Sequence, residues 1–574
     1  MTSFSVEFAK DNDFNIVNTN LFGANFLAHK YDLSGDSSIE ELVKDLEITS
    51  IRYPGGSITE HFFDLSNPNQ TSVVDIHGDM SPPGTVLDWV PLNDFIDFAS
   101  ASDLSVTIVL PTKNFIASTA DDNGDHWADV DSELLGGFVE DLVSGKYGDA
   151  NIAGLELGNE YWHAGGMTSV EYGRVASKMA QIINEKLGEL EVNFPSAGDI
   201  DIIVQGGFNF GPDKLSEQYS GDGQDILQEL NSDYGLSLDN DVLYSSGTVN
   251  WTTVADRLIL KEFNSTEFEG VDGVALHLYN DDIDKAHSSA FHLDNINHTW
   301  MNRDPDLEVH VTEWNQDTSS HFLDPHEDYG LFQAQEVLET IEEFALRGTE
   351  AAQIWPMLQA TPNALAQGAT YEELSPTGVL YSYLSENISG KHVIDLVETP
   401  SQIGSPDSAD TFLYYGEDEV TFFVSATGTE TSTIEFDLSN IFNDLGSVKA
   451  SILTVEDDET KGSKFAVGKL EQIGKEEIID AEDNVLSTSL DGGEILCVTI
   501  SDFTPTPQFY DIIQDIENGG VYDPVDPELP LPPIEPEEPP EEDDDQLEDG
   551  WEEVTGGMEW MGFFLPMLML LGAF

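Results

Sequence analysis

Two strand-like segments that each end in a glutamate constrain the fold of this chain most strongly. The first is the apolar run 152–157, which is followed by a glycine, an amide and Glu160. A short apolar run closed by a turn residue is typical of a buried parallel strand. The second is the alternating run 307–312, which is followed by Glu313, an aromatic ring and an amide. Both segments therefore predict a carboxyl group at the C-terminal end of a strand.

The spacing of these two glutamates fits a (β/α)8 barrel. They are 153 residues apart, which is room for about three βα units in a barrel of about 250 residues or more. We therefore assign Glu160 to the fourth strand and Glu313 to the seventh. Side chains at the carboxyl ends of barrel strands face one end of the barrel. The two carboxyl groups are expected to meet there, whereas a lone Asn-Glu pair would be interpreted as a solvated loop.

Two carboxyl groups that face one point are the residues that glycoside hydrolysis requires. One acts as general acid and then as base, and the other acts as nucleophile or base. A hydrophobic setting lined by rings is expected to raise the pKa of the acid, while hydrogen bonds keep the other group ionised. This chemistry needs no metal and no organic cofactor, so none is predicted.

Four short motifs resemble those of a known group of enzymes. Residues 158–160 (Gly-Asn-Glu) and 312–315 (Thr-Glu-Trp-Asn) are similar to the strand-4 and strand-7 signatures of the TIM-barrel retaining glycoside hydrolases of clan A. Residues 52–56 (Arg-Tyr-Pro-Gly-Gly) and 277–279 (His-Leu-Tyr) resemble motifs of the α-L-arabinofuranosidase branch. The β-xylosidase and β-glucuronidase/heparanase families are also similar. The resemblance covers roughly residues 18–505 in layout and is specific at these four points.

The resemblance implies a role for each matched residue. Glu160 is expected to be the acid/base and Glu313 the nucleophile. Arg52 is expected to pair with Glu313 and hold it ionised, and the Tyr279 hydroxyl to hydrogen-bond it. The other predicted substrate-binding residues are Asn25, Asn159, Trp162, His277 and Trp355.

Several of these assignments have structural alternatives. Trp355 is interpreted either as a stacking surface for a sugar ring or as a core residue. His277, without the resemblance, is a satisfied core or loop histidine. Asn25 stands where the family often has an acid, and Ser57 stands where it commonly has an asparagine. These two departures leave the sugar preference open.

The predicted function is α-L-arabinofuranosidase-like hydrolysis of O-glycosidic bonds in plant or algal oligosaccharides or polysaccharides, by a retaining double displacement. A β-xylosidase, a β-glucuronidase, an endo-acting glycanase of the same clan and a transglycosylase remain open. An alternative from another class is a non-catalytic carbohydrate-binding surface protein. The presence of both glutamates argues against that alternative.

The sequence divides into five parts. Residues 1–20 predict strands of the later β domain, residues 21–390 the barrel, and residues 391–505 a β-sandwich of short alternating strands. Residues 506–557 are rich in Pro, Asp and Glu, which predicts an extended spacer. Residues 558–574 are a hydrophobic tail, shorter than the roughly 20 residues of a membrane-spanning helix.

The net charge of −89 restricts the partners of this 574-residue chain. Residues 511–574 hold only 19 of the 110 acidic residues, so most of the charge belongs to the folded part. Such a surface repels nucleic acid and anionic membranes and stays soluble in salt. The expected partner is a carbohydrate substrate and not a nucleic acid. The sequence gives no prediction of the oligomeric state.

The location of the protein is predicted from its two ends. Residues 1–10 show no standard signal peptide. The tail 558–574 is interpreted as a membrane-associated or sorting signal, with a plug docked on the folded body as the alternative. The prediction is an extracellular or cell-surface protein. The alternative is the cytoplasm of a salt-accumulating cell.

Overall fold

A closed barrel of eight parallel strands is the centre of the structure. The computed structural model describes residues 2–9, 14–34, 38–210, 214–280, 288–318, 320, 322–400, 409–426, 431–456, 459–480 and 484–518. The barrel strands are β1 (Gly23–Asn25), β2 (Ser50–Tyr53), β3 (Ser105–Leu110), β4 (Asn151–Leu157), β5 (Asp201–Gln205), β6 (Gly273–Asn280), β7 (Glu308–Gln316) and β8 (Ala351–Ile354). Each pairs with the next in the chain, and β8 pairs with β1. The predicted (β/α)8 barrel is confirmed, with Glu160 just after β4 and Glu313 in β7.

Amphipathic helices cover the outside of the barrel. The longest begins after Thr168, which forms a capping box with Glu171, so two of the free backbone N–H groups at its start are satisfied. The helices up to the end of the barrel are Ile39–Asp45, Ile58–Phe62, Leu92–Ala101, Ser132–Val143, Ser169–Leu190, Leu215–Gln218, Gly223–Tyr234, Trp251–Lys261, Ser265–Phe268, Ser288–Thr299, Leu331–Leu346 and Pro376–Ile388.

Short strand pairs extend the loops that follow several barrel strands. They are Ser72–Asp75 with Thr85–Asp88 after β2, Ile116–Ala120 with His126–Ala128 after β3, and Leu358–Gln359 with Ala366–Gln367 after β8. These loops leave the carboxyl ends of the strands. They therefore build the rim at the end of the barrel where the two glutamates lie.

A β-sandwich of two sheets follows the barrel, as predicted. The five-stranded sheet contains, in spatial order, Leu396–Pro400, Thr2–Phe8, Ser432–Asp437, Val485–Leu490 and Ile479–Asp480. The six-stranded sheet contains His392–Ile394, Ala409–Gly416, Glu419–Ala426, Ile495–Ser501, Ser447–Val455 and Gly468–Ile473. Phe4 stacks on Phe436 at 5.4 Å between ring centroids. The first strand of the chain thus lies in the sandwich and contributes to its core.

The six-stranded sheet packs on two helices of the barrel. The Tyr383 ring meets the Phe423 ring edge-on at 6.0 Å. Gln335 donates a hydrogen bond to the Ala426 carbonyl at 2.9 Å. Both barrel residues lie on the last two helices. The sandwich therefore buttresses the barrel wall behind β7 and β8 and takes no part in the glutamate site.

A helix at Pro507–Glu517 corrects the predicted start of the spacer. The Thr506 side chain accepts a hydrogen bond from the Phe509 N–H and caps the helix, and a proline occupies its first turn. Phe509 is fully buried in the sandwich core. The prediction that the extended spacer begins at residue 506 was therefore wrong for this part. The rest of the predicted spacer from residue 519, and the tail 558–574, lie outside the described residues.

Within the described part of the chain, no helix is both long and apolar enough to cross a membrane.

Candidate active site

Glu160 and Glu313 meet at the C-terminal end of the barrel. One carboxyl oxygen of each and one ring nitrogen of His277 all lie within 4.8 Å of one another. Glu160 is 2% exposed and Glu313 is 1% exposed. Retaining glycosidases hold their two carboxyl groups about 5–5.5 Å apart, and inverting ones about 6.5–9.5 Å apart. An approach of one oxygen from each group to within 4.8 Å is nearer to the retaining spacing than to the inverting one.

The chain leaves β4 through a turn that directs Glu160 into the site. Gly158 has a φ of +88°, and a Cβ there would lie 2.9 Å from Thr112 Oγ1. Glu160 itself has a φ of +48°, in the left-handed region that side-chain-bearing residues avoid at about 1–2 kcal/mol. The Tyr161 N–H donates to Gln205 Oε1 at 3.2 Å, which holds the turn in place. The surrounding structure thus maintains a backbone conformation that is unfavourable by itself.

His277 lies between the acidic groups of the site. Its Nδ1 is 3.2 Å from Glu160 Oε1 and 4.0 Å from Glu313 Oε2. Its Nε2 is 3.9 Å from Glu156 Oε1. Burial alone would lower the pKa of His277, but the three glutamates outweigh it and raise the pKa to about 9. The ring is therefore an imidazolium at neutral pH, and its Nδ1–H donates to Glu160.

The two facing carboxyl groups have pKa shifts opposite to the expected ones. Burial acts to raise the pKa of Glu160, but the neighbouring His163 and His277 rings outweigh it, so this pKa is lowered. Burial raises the pKa of Glu313, and the positive charges of His277 and Arg52 do not cancel this effect. These directions differ from the raised pKa expected for the acid and from the ionised state expected for Glu313. The cause is the position of His277, which favours Glu160.

Arg52 pairs most closely with Glu156 and also forms the expected, longer ion pair with Glu313. Its Nε and Nη2 donate to the two carboxyl oxygens of Glu156 at 2.6 and 2.9 Å. The nearest approach recorded to Glu313 is 3.5 Å, from Nη1. All three side chains are buried. Burial would raise the pKa of Glu156, but the Arg52 charge outweighs it and lowers the pKa to about 2.

The two asparagines of the site have different roles. Asn25 is fully buried, donates to the Thr312 and Gln353 carbonyls at 3.1 and 3.0 Å, and accepts from Arg52 at 2.9 Å. Its polar atoms are thus engaged within the protein, and it positions Arg52 instead of offering a group to substrate as predicted. Asn159 Oδ1 also accepts from Arg52, at 2.9 Å, but its buried Nδ2 makes no hydrogen bond. Buried amide groups normally have partners, so this N–H is the one available to a ligand.

Tyr279 donates the hydrogen bond to Glu313 that the resemblance implied. The distance from Tyr279 Oη to Glu313 Oε1 is 2.7 Å. The hydroxyl fixes one carboxyl oxygen and leaves the second facing His277. It also stabilises the charged form of Glu313, because a hydrogen bond donated to a carboxylate lowers its pKa.

Replacing Tyr279 by phenylalanine tests this hydrogen bond. Tyr279→Phe is expected to lower kcat/KM by roughly 10–100-fold, the size of effect that a supporting hydrogen bond to a reacting group commonly has. The pKa of Glu313 is expected to rise, so the acid limb of the pH–kcat/KM profile moves to higher pH. A variant with reduced kcat/KM and an unmoved acid limb would contradict the role given to Tyr279.

The predicted aromatic contacts are found at the edges of the site. Trp162 is buried, stacks on Phe208 at 4.8 Å between centroids, and approaches the His277 ring edge-on at 6.1 Å. Trp355 is half-buried against Gly56, where a Cβ would lie 2.8 Å from the indole. Trp162 is thus a wall of the site held by packing, while Trp355 keeps an exposed portion.

A cavity of about 400 Å³ lies beside the carboxyl pair. Tyr161, Trp162 and Phe208 contribute to its lining, but neither Glu160 nor Glu313 does. The carboxyl geometry, and not this cavity, therefore locates the candidate reaction centre.

Sequence reasoning missed two glutamates that support the site. Glu156 receives Arg52, and Glu60 accepts hydrogen bonds from the backbone N–H groups of Thr112, Lys113 and Asn159 at 2.9, 2.8 and 3.1 Å. Glu60 therefore ties the ends of β3 and β4 together. The signal for Glu156 was a charged residue inside an apolar strand, which requires a buried partner.

Solved glycoside hydrolases share this two-domain fold. The structure is similar to the family 51 arabinofuranosidase from Xanthomonas axonopodis pv. citri, with a TM-score of 0.58 and 13% identity over 87% of this chain and 100% of that one. It is similar to the α-L-arabinofuranosidase from Thermotoga maritima (TM-score 0.56, 13% identity, 86% and 99% coverage). It is also similar to a family 44 xyloglucanase from Paenibacillus polymyxa (TM-score 0.51, 10% identity, 87% and 100% coverage).

No protein-family model matches the sequence, and no curated protein matches it. The fold of the chain is therefore assigned from structure alone. It is an eight-stranded TIM barrel followed by a β-sandwich, as in the solved glycoside hydrolases above, and the expected fold class is confirmed.

Proposed function

We propose that the protein is a retaining glycoside hydrolase with Glu313 as nucleophile and Glu160 as acid/base. The observation that carries this proposal is the approach of their carboxyl oxygens to within 4.8 Å at the C-terminal end of the barrel. The shared fold of solved glycoside hydrolases supports it. These two carboxyl groups are sufficient for both steps of the retaining mechanism.

The first step forms a bond between the sugar and the protein. A Glu313 oxygen attacks the anomeric carbon as the bond from that carbon to the leaving oxygen breaks, and Glu160 gives a proton to the leaving oxygen. In the second step, Glu160 takes a proton from water. The water oxygen then displaces Glu313 from the anomeric carbon, which releases the sugar with its original configuration.

The neighbouring groups set the charges for these steps. Tyr279 holds Glu313, and the free Nδ2–H of Asn159 is placed to donate to a sugar hydroxyl, where such contacts strengthen towards the transition state. Glu160 has a lowered pKa, and its proton is held on the adjacent Nδ1 of His277 at 3.2 Å. We infer that Glu160 and His277 share one proton, which is on Glu160 when the leaving oxygen needs it.

This arrangement predicts a bell-shaped pH dependence of kcat/KM. Glu313 must be ionised, and its pKa lies above the ordinary 4.5, so activity is lost as pH falls through that raised value. The proton shared by His277 and Glu160 must be present, so activity is lost as pH rises through about 9. Steady-state kinetics across the pH range measure both limbs. In His277→Gln the basic limb is expected to fall below 9, and an unmoved limb would contradict the shared proton.

We propose α-L-arabinofuranosides as the substrate class. The Arg-Tyr-Pro-Gly-Gly and Thr-Glu-Trp-Asn motifs support this choice, as does the similarity to structures of two arabinofuranosidases. The near-complete burial of both carboxyl groups favours entry of a single terminal sugar over an extended chain. The acidic surface favours neutral sugars over sulfated or uronate-rich polymers.

The test is release of nitrophenol from aryl α-L-arabinofuranosides, β-xylosides, β-glucosides and β-glucuronides at high salt, with Glu313→Gln as the blank. Turnover of the arabinofuranoside alone, absent in the blank, is the expected result. Turnover of another glycoside would support the proposed reaction but contradict the proposed sugar. Binding of oligosaccharides without turnover of aryl glycosides or polysaccharides would replace the proposal with a carbohydrate-binding protein.

A further inference from the structure

A second cluster of ionisable side chains lies at the opposite end of the barrel. Asp201 begins β5, Glu308 begins β7, and His310 follows two positions later. One carboxyl oxygen of each acid and one ring nitrogen of His310 lie within 4.8 Å of one another. These residues lie at the N-terminal ends of the strands. The cluster is therefore separate from the glutamate pair at the carboxyl ends.

The strand register brings these three side chains together. Glu308 and His310 are two residues apart in one strand and lie on the same side of it. Gly273 of β6 pairs with both Ile203 and Glu308, so β6 separates β5 from β7 at this level. A Cβ at Gly273 would lie 2.6 Å from His310 Nε2. The absence of a side chain there leaves room for the imidazole to turn towards Asp201.

The His310 ring holds a nitrogen that no hydrogen bond satisfies. The side chain is 5% exposed, and Nε2 is buried and makes no hydrogen bond. Glu308 Oε2 lies 3.5 Å from it, in a side chain that is 42% exposed. A buried polar atom without a hydrogen bond costs about 1–3 kcal/mol. The ring nitrogen is therefore buried beside the Glu308 carboxyl group and has no hydrogen-bond partner.

The charges around Asp201 are mostly negative. The carboxylates of Glu308, Asp272 and Glu350 interact unfavourably with the Asp201 carboxylate, and His310 interacts favourably with it. Like charges this close disfavour one another. A cation among these groups would remove the repulsion.

We propose that Asp201, Glu308 and His310 bind a divalent transition-metal ion, of which Zn²⁺ fits best. Zn²⁺ accepts imidazole nitrogen together with carboxylate oxygen and is commonly four-coordinate, so a water completes the set beside the exposed Glu308. Mg²⁺ and Ca²⁺ prefer sites made of oxygen ligands alone. The ion would join β5 to β7 across β6. Residues at the N-terminal face of such barrels contribute to stability and not to catalysis. The ion would therefore raise the unfolding temperature and leave turnover unchanged.

The test is zinc binding by the EDTA-treated full chain in buffered high salt, followed by equilibrium dialysis, metal analysis and thermal unfolding. One tightly bound zinc per chain and a Tm raised by a few degrees are expected, since a ligand of the native state stabilises it. Glu308→Gln is expected to weaken binding by at least about 10–100-fold, the loss that follows removal of even a supporting group in metal sites. This variant changes a half-exposed side chain, so it is expected to fold.

Two control variants locate the ion. Glu350→Gln removes the same charge from the same end of the barrel without removing a ligand and is expected to keep the zinc. Glu313→Gln removes a carboxylate from the other Glu-His-Glu group and is also expected to keep it. Zinc lost in Glu313→Gln but retained in Glu308→Gln would overturn the proposal. The same holds if zinc binds only weakly, or equally well to every variant, as it would to a general acidic surface.

Discussion

Glu313→Gln is expected to reduce turnover of every substrate by on the order of 10⁴-fold or more, since a missing nucleophile leaves no covalent route. The substitution keeps the shape of the side chain, and the amide oxygen still accepts from Tyr279. Burial already raises the pKa of Glu313, so the folded protein tolerates a neutral group at this position. Steady-state kinetics together with thermal unfolding measure the two effects separately. We expect the rate to fall and the unfolding temperature to stay within a few degrees.

Glu160→Gln is the matched test of the acid, and its effect should depend on the leaving group. Nitrophenolate leaves without protonation, whereas the leaving sugar of an oligosaccharide needs the acid. Glu160→Gln should therefore slow hydrolysis of an aryl glycoside less than hydrolysis of an oligosaccharide. Glu313→Gln should show no such difference. The exposed Glu189, on the helix Ser169–Leu190, provides Glu189→Gln as the control for loss of one negative charge. A fully active Glu313→Gln or Glu160→Gln protein would refute the assignment.

The positions of the two glutamates were predictable because strand periodicity and chain spacing fix them. An apolar run that stops at a glycine places the next polar residues at a strand end, and a barrel brings all such ends to one face. The backbone conformation of Glu160 was not predictable in this way. The turn around its positive φ is held by the hydrogen bond from the Tyr161 N–H to Gln205, a residue distant in sequence.

The charge distribution in the site could not be predicted from the motifs. The pKa of Glu160 is lowered and that of Glu313 is raised, because His277 lies 3.2 Å from Glu160 but 4.0 Å from Glu313. The strand β6 shifts register against β7 between Leu276 and His277, directly before this ring. A sequence pattern with a period of two specifies the side of the strand but not such a shift.

The helix Pro507–Glu517 was missed although its sequence contains the usual signals. Thr506 is a capping residue, a proline follows, and apolar side chains recur at Phe509, Ile512, Ile513 and Ile516. Because the following residues are acidic and Pro-rich, the predicted spacer was made to begin too close to the N-terminus. Local periodicity over 11 residues was the better guide, because the helix packs its apolar side on the sandwich.

Glu156→Gln is expected to destabilise the protein by about 3–5 kcal/mol, the cost of leaving one partner of a buried ion pair uncompensated. Arg52 is fully buried and directs two of its nitrogens to Glu156. An amide supplies only one acceptor oxygen and no charge. The guanidinium therefore loses one hydrogen-bond acceptor and the negative charge that neutralises it. The free energy of unfolding, measured with denaturant at pH 7, is the relevant quantity. A change below about 0.5 kcal/mol, the range of ordinary surface substitutions, would contradict this account.

The Arg52–Glu156 ion pair also predicts how stability changes at acidic pH. The folded-state pKa of Glu156 is lowered to about 2 from an ordinary 4.5. Its contribution to stability is therefore present above pH 4.5 and is lost as pH falls through 2. Glu156→Gln should remove this part of the acid dependence, so its stability deficit should shrink towards low pH. A deficit that is constant from pH 7 to pH 2 would indicate a packing effect and not a charge effect.

A double variant separates the structural role of this pair from its role in the site. Replacing Arg52 and Glu156 together by methionine and leucine removes both charges, and such apolar replacements commonly restore the stability lost when one partner is removed. Activity should not return, because Arg52 also holds Asn159 and lies 3.5 Å from Glu313. A stable but inactive double variant would therefore mean that this buried pair is kept for the geometry of the site. An active one would mean that Arg52 serves the barrel core alone.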